Sequence, residues 1–278
     1  MTETIITSRR HSFVARCRDA ADGHSDDVLL EGPHLVADAI DAGTDLPLIL
    51  VAEGAATRAD VAALVARAAQ RGLPLHWVTP SVLDAASPTR TPVGVVALAT
   101  LALEPVDRLW TGPQALVTVA VGVQDPGNVG TLIRSSEAAG ATGFLAAGST
   151  AHPFGWRALR GAMGSSLRLP VARAADTEHA VRAAQAHGLR VVALTGDGEV
   201  SLHDADLRGP LAICAGAEGA GLPDAVLALA SLRLRIPMHR RVESLNVGVA
   251  ASLVLFEVMR QREPGTGRQP AAVGADPS

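Results

Sequence analysis

A chain of 278 residues has the length of about two domains, each able to bury its own core, which excludes a peptide hormone or a disulfide miniprotein. Hydrophobic residues make up 48%, charged residues 19%, and mean hydropathy is +0.24, which excludes a chain disordered throughout. The net charge of −4, from 24 Lys+Arg against 28 Asp+Glu, argues against nucleic-acid binding through overall charge and leaves only local basic patches. All 24 basic residues are Arg, which with the abundant Ala reads as a GC-rich coding bias, so each Arg has to be argued from its position. Apolar runs such as residues 115–123 fall short of the roughly 18 residues that a membrane helix needs. Residues 1–10 hold no signal-peptide core, so a cytoplasmic protein without a membrane segment is expected. Cys17 and Cys214 are too far apart in sequence to suggest a disulfide framework or a zinc cluster, and no metal is expected.

The first part of the chain alternates helical and extended patterns. Helices are expected over 9–21, 34–42 and 59–70, and strands over 28–30, 46–52, 75–78 and 93–99, which together make a small α/β domain. Residues 103–114 carry Pro105, Gly112 and Pro113 without sustained periodicity and read as a linker, with the boundary near residue 106. Beyond it, the apolar, β-branched run 115–123 suits a strand covered on both faces of a parallel sheet. A helix capped at Asn128 should follow, with Val129, Leu132, Ile133 and Ser136 on one face and Gly140 as its stop. Strand 143–147, helix 178–187, strands 190–194 and 211–215, helix 224–230 and strand 232–236 continue the alternation. A last helix over 244–261 should bury Leu245, Val249, Leu253, Phe256 and Met259, and the Pro- and Gly-rich tail 263–278 is expected to be disordered.

Ligands of open α/β sheets gather at the carboxyl ends of the strands, so the loops 124–134, 195–198, 216–223 and 237–246 are the places for chemistry. They contain Asn128, Arg134, Glu218, Ser244 and Asn246. The glycines of Gly216-Ala-Glu-Gly-Ala-Gly221 follow G-x-x-G-x-G, not the G-x-G-x-x-G of a dinucleotide site, and Gly219 or Gly221 could simply serve a turn with positive φ. Glu218, a charge directly after an apolar strand, reads as a carboxylate placed to accept hydrogen bonds, either to orient the loop or to take part in chemistry. Taken singly, Arg134 could be a solvated arginine, and Ser244 and Asn246 could be helix caps.

Three strings occur together and in order: Asn128-Val-Gly-Thr-Leu-Ile-Arg134-Ser-Ser-Glu137-Ala-Ala-Gly140, Gly216-Ala-Glu218-Gly219-Ala-Gly221-Leu-Pro223, and Ile236-Pro-Met238 followed by Val242-Glu-Ser244-Leu245-Asn246-Val-Gly-Val-Ala250. They resemble the three signature motifs of the SpoU (TrmH) family of RNA ribose 2′-O-methyltransferases, in the SPOUT superfamily, over residues 115–262. Arg160-Gly-Ala-Met-Gly-Ser-Ser-Leu-Arg-Leu-Pro170 is similar to the segment between the first two motifs in members that act on ribosomal RNA. More loosely, Val28-Leu-Leu-Glu31-Gly32-Pro33-His34 and Thr91-Pro92-Val-Gly94 resemble the substrate-binding domain that precedes the catalytic domain in many of these enzymes, itself similar to small ribosomal RNA-binding proteins.

The resemblance implies an α/β fold in three parts: an RNA substrate-binding domain over 1–105, a SPOUT parallel sheet with a deep trefoil knot over 106–262, and the tail. It implies S-adenosyl-L-methionine as cofactor, held by Leu194, Thr195, Gly196, Gly216, Gly219, Ile236 and Met238, with Leu245 over the adenine. It implies a homodimer in which Arg134 could complete the neighbouring site. In the family the residue matching Arg134 is the central catalytic one and has been proposed as general base. Because a guanidinium normally stays protonated, clamping an RNA phosphate and stabilising the developing alkoxide is the alternative. Asn128 would then orient Arg134, Glu218 would fix the cofactor loop, and Ser244 and Asn246 would hold ribose and loop. Arg9, Arg10, Arg16 and Arg18 form a basic cluster that suits RNA, or else a solvated helix face. Arg240 stands where the third motif usually has Gly, and Gly248 where it commonly has Ser. Ribosomal RNA of the 23S type is the expected substrate; a transfer-RNA methyltransferase, or an RNA-binding ribosome-assembly factor of the same fold without methylation, are the alternatives.

Overall fold

The computed structural model describes residues 4–239 and 244–263. Helix α1 (Ser12–Asp22), strand β1 (Asp27–Glu31), α2 (Pro33–Asp41), β2 (Asp45–Ala52), α3 (Ala59–Gln70), β3 (Leu75–Val78), α4 (Pro80–Ala86) and β4 (Val95–Thr100) form a first α/β unit. Its sheet has the order β1-β4-β2-β3, antiparallel around β4 and parallel between β2 and β3. After α5 (Val106–Leu109) come β5 (Leu116–Val121), α6 (Pro126–Ala138), β6 (Gly143–Ala147), α7 (Trp156–Ala162), β7 (Val171–Ala174) and α8 (Thr177–Ala186). Then follow β8 (Arg190–Leu194), β9 (Val200–Ser201), β10 (Leu211–Gly216), α9 (Asp224–Leu229), β11 (Leu232–Arg235) and α10 (Val247–Arg262).

The second sheet has seven strands in the order β7-β6-β5-β10-β8-β11-β9, and all of its pairings are parallel. Central β5 is buried at every residue because helices cover both faces of the sheet, which is why its sequence is apolar without alternation. Among the described residues no helix is long and apolar enough to cross a membrane.

Several elements differ from the sequence expectation, each for a physical reason. Residues 103–114 are not a free linker: α5 lies within them, and Leu109 and Trp110 are buried against the second sheet. Nor are the cores separate. Leu35, Val36 and Ile40 of the first unit share one continuous apolar cluster with Leu132, Ile133, Ala158 and Leu159 of the second. Helix α6 starts at Pro126, and its cap is Asp125, whose carboxylate accepts the Asn128 N–H at 2.8 Å; Asn128 is already inside the first turn. Helix α10 starts at Val247 rather than 244 and buries Val247, Ala251, Val254, Leu255 and Val258. The stripe expected to be buried faces outward, with Val249, Leu253 and Phe256 each more than 40% exposed. This helix is apolar on both sides, and periodicity alone does not say which side meets the sheet.

Two glycines set how closely elements approach. A Cβ on Gly130 would stand 2.5 Å from the Ala158 carbonyl and 2.8 Å from the Gly161 Cα, so α6 and α7 touch backbone to backbone. A Cβ on Gly248 would meet the Thr131 methyl at 2.8 Å, which accounts for the missing Ser of the third motif: α10 lies too close to α6 for it. The Arg240 departure, Arg241 and the tail over 264–278 lie outside the described residues, and so do residues 240–243 of the C-terminal part from which a knot is expected.

Candidate active site

The carboxyl ends of β8, β10 and β11 converge with the segment that enters α10 and enclose a cavity of about 410 Å³. Leu194, Thr195, Gly196, Gly216, Gly219, Ile236, Met238 and Leu245 all line it, as do Glu218 and Ser244. The structure adds Ala215 and Leu234 to the walls, together with Ala217, Gly221, Val247 and Ala250 of the motif strings. Ala215 and Leu234 carry no sequence signal beyond their place near the ends of apolar strands. Gly219 and Gly221 have φ of 83° and 66°, the left-handed turn that the glycine spacing suggested. Gly216 has a different reason: a Cβ there would lie 2.3 Å from the Gly221 backbone, so the loop folds directly over the end of β10. The Thr195 hydroxyl donates to Asp197 at the rim and holds that carboxyl below its ordinary value.

Three side chains from distant parts of the sequence brace the cavity loop. Asn246 Nδ2 donates to Glu218 Oε1 at 2.8 Å and to Asn128 Oδ1 at 2.9 Å, while Asn128 Nδ2 donates to the same Glu218 oxygen at 3.1 Å. Asn246 Oδ1 meanwhile accepts the N–H groups of Gly248 and Val249 and caps α10. Asn246 therefore joins the start of α10, the first turn of α6 and the loop after β10. Ser244 lines the cavity and is not the cap.

Arg134 belongs elsewhere. It is exposed on α6, two turns past Asn128, and lines a separate cleft with Arg157 and Arg160 of α7. Because Asn128 is engaged by Glu218 and Asn246, it does not orient Arg134 within the same chain, contrary to expectation. The N-terminal basic cluster is also divided. Arg16 pairs with Asp27 at 3.2 Å and Arg18 donates to the Ala85 carbonyl at 2.8 Å, whereas Arg9 and Arg10 are exposed before α1. Neither cysteine is placed for thiolate chemistry, since burial pushes both Cys17 and Cys214 up to about 12. Among the described residues no cluster of His, Cys, Asp or Glu is spaced to hold a metal ion.

A parallel sheet with such a cavity at its carboxyl edge, preceded by a smaller α/β unit, defines a ligand-binding protein of the α/β class. Residues 115–256 match the SpoU rRNA Methylase family, and the chain belongs to that family. Residues 29–104 match the RNA 2′-O ribose methyltransferase substrate binding family. Among its relatives, the 23S rRNA (guanosine(2553)-2′-O)-methyltransferase RlmP of Bacillus subtilis is 30% identical over 230 residues, 83% of this chain and 87% of that protein. The 23S rRNA (guanosine-2′-O-)-methyltransferase RlmB of Xylella fastidiosa is 34% identical over 206 residues, 70% of this chain and 81% of that one. The crystal structure of an AdoMet-bound rRNA methyltransferase from Sinorhizobium meliloti superposes with a TM-score of 0.82 at 30% identity, covering 94% of this chain and 98% of the other.

Proposed function

We propose that this protein is an S-adenosylmethionine-dependent ribose 2′-O-methyltransferase of ribosomal RNA, of the 23S type named for its relatives. The observation that carries the reading is the cavity, built from the loops that follow three strands and the entry to α10, and braced by Asn128, Glu218 and Asn246. Its walls fit the cofactor. They are apolar side chains and closely folded main chain, suited to a nucleoside, and Glu218 is the one charged group among the described lining residues, suited to a cationic ligand. Leu194, Gly196, Gly216, Gly219, Ile236 and Met238 would hold it, with Leu245 over the adenine. When bound, the cofactor supplies an electrophilic methyl group on a sulfonium.

The rest falls to the chain's own residues. A ribose 2′-hydroxyl is a weak nucleophile that has to be aligned; as its oxygen takes the methyl group the S–CH3 bond breaks, leaving a neutral thioether, and the hydroxyl proton passes to solvent water. Arg134, permanently cationic, clamps the adjoining phosphate and stabilises the oxyanion that develops on the ribose. Glu218, Asn128 and Asn246 keep the cavity loop in place, and Ser244 holds the ribose at the mouth. Because Arg134 lines none of its own chain's cavity, the active form is a homodimer in which Arg134 serves the neighbouring cavity. The outward apolar stripe of Val249, Leu253 and Phe256 on α10 supports such a contact. Residues 1–105 bind RNA, with Arg9 and Arg10 as the free contacts, residues 106–262 carry out the transfer, and the protein works in the cytoplasm.

The test is transfer of tritiated methyl from S-adenosylmethionine to separated 23S, 16S and transfer RNA that lack modification. Label in 23S RNA is expected. Label in transfer RNA alone would replace the substrate, and cofactor binding without label in any pool would replace the enzyme with an RNA-binding factor.

A further inference from the structure

The second cleft has no role in holding the cofactor. It encloses about 560 Å³, shares no residue with the cofactor cavity, and is lined by Arg134, Trp156, Arg157, Arg160, Gly161 and Met163. Arg157 and Arg160 are three residues apart on α7 and so share a face, and the Gly130 contact brings Arg134 of α6 alongside them. Among the described residues none of these three guanidiniums meets a carboxylate. Arg168, a few residues on, shows the ordinary alternative: it is held by both oxygens of Glu137. Like charges gathered without a counter-ion suit a phosphate, which accepts forked hydrogen bonds from several guanidiniums at once.

The cleft also offers flat apolar surface. The Arg157 guanidinium lies 5.0 Å from the centre of the Trp156 ring, which fixes a planar group over an aromatic one. Met163, 54% exposed, is held at φ 50°, the one described non-glycine residue in the left-handed region, and presents its thioether to solvent. Trp156 is half-buried against the apolar cluster of the first unit, with the exposed Arg157 guanidinium over its ring; that pair beside the exposed Met163 is a surface for a planar ring, and phosphate with planar ring together describe a nucleotide. In duplex RNA both faces of each base are already stacked, so only an unpaired nucleotide can use such a wall.

We propose that this cleft takes one unstacked nucleotide of the substrate RNA next to the methylated one, its base against Trp156, Arg157 and Met163 and its phosphate between Arg134 and Arg160. This rests on the reading of the chain as an RNA methyltransferase. Arg134 forms a wall of the cleft, so the bound nucleotide adjoins the reacting ribose whichever subunit Arg134 serves. The target then lies in a loop or bulge, never within a continuous helix.

The experiment measures binding of an RNA hairpin with an unpaired loop and of a blunt RNA duplex of equal charge, to the full-length protein and to Trp156→Ala, Trp156→Phe and Arg157→Ala. Trp156→Ala is expected to weaken the hairpin roughly 5- to 100-fold, the range for loss of one stacked base, with duplex and cofactor binding unchanged and with recovery in Trp156→Phe. Arg157→Ala should weaken the hairpin more than the duplex, as loss of part of the base wall does. Equal weakening of hairpin and duplex, or none for either, overturns the proposal, as does retention of an acidic protein in place of RNA. Loop-selective binding that depends on Trp156, without methyl transfer, would leave the cleft intact and remove the enzymatic reading instead.

Discussion

Helix α6 serves two clefts built on opposite electrostatic plans. Its first turn supplies Asn128 to a cavity whose described lining has one carboxylate, Glu218, and no cation. Two turns later it supplies Arg134 to a cleft with three guanidiniums and no carboxylate. In the first, the neutral amides of Asn128 and Asn246 hold one oxygen of Glu218 in place and leave its negative charge in the cavity wall, beside main chain and apolar side chains that select the ligand by shape. In the second, the three guanidiniums meet no carboxylate among the described residues and are open to an anion from outside. The contrast separates a small cationic cofactor, recognised by fit, from a polyanion, recognised by charge and stacking, the kind of binding that salt weakens.

The strongest way to break this division is Arg134→Ala. It is expected to lower methyl transfer about 100- to 1,000-fold, as removal of one transition-state donor does, while calorimetry shows unchanged cofactor affinity. Unchanged turnover would remove Arg134 from the site. Gly130→Ala probes the spacing on which the charged cleft depends. Its Cβ would strike the Ala158 carbonyl, prising α6 from α7, and the melting temperature should fall by an amount matching about 1–3 kcal/mol of overpacking. Asn246→Ala sharpens the other side: it removes the α10 cap and two bridges, so cofactor affinity should drop on the order of ten-fold, with transfer falling in parallel. A loss of transfer with cofactor affinity intact would place Asn246 with Arg134 and blur the division.

The smallest effect belongs to Glu137→Gln. The Arg168 guanidinium holds the Glu137 carboxyl below its ordinary 4.5, so the ionised pair favours the folded state above that value and ceases to do so as acid protonates the carboxylate. The variant should melt about a degree or two lower at neutral pH, because the pair is partly exposed, and the gap should close as the pH falls below 4.5. A gap that widens on acidification would contradict the pairing.

The loops of the cavity were legible because their chemistry is local. Gly219 and Gly221 need left-handed turns, Gly216 allows close approach, and strand-end position marks the loops as ligand sites. The α/β alternation was legible from apolar runs such as β5. The Asn128–Glu218–Asn246 network was not, since its members are 90, 28 and 118 residues apart and only the sheet brings them together. Helix α7 was missed because seven residues with a glycine show no stripe, and with it the cleft that takes Arg134. The outward face of α10 was misread because Val249, Leu253 and Phe256 look like core unless one knows that Val254, Leu255 and Val258 fill the inner side. Sequence pattern reveals what a segment does for itself and conceals what it does for a distant one.

The position of the transferred methyl group tests the central claim most directly. 23S RNA labelled from tritiated S-adenosylmethionine is hydrolysed in alkali, which cleaves through a free 2′-hydroxyl and spares a methylated one. Label recovered in alkali-stable dinucleotides is the predicted result, and label recovered in mononucleotides, as base methylation gives, would contradict a ribose 2′-O-methyltransferase.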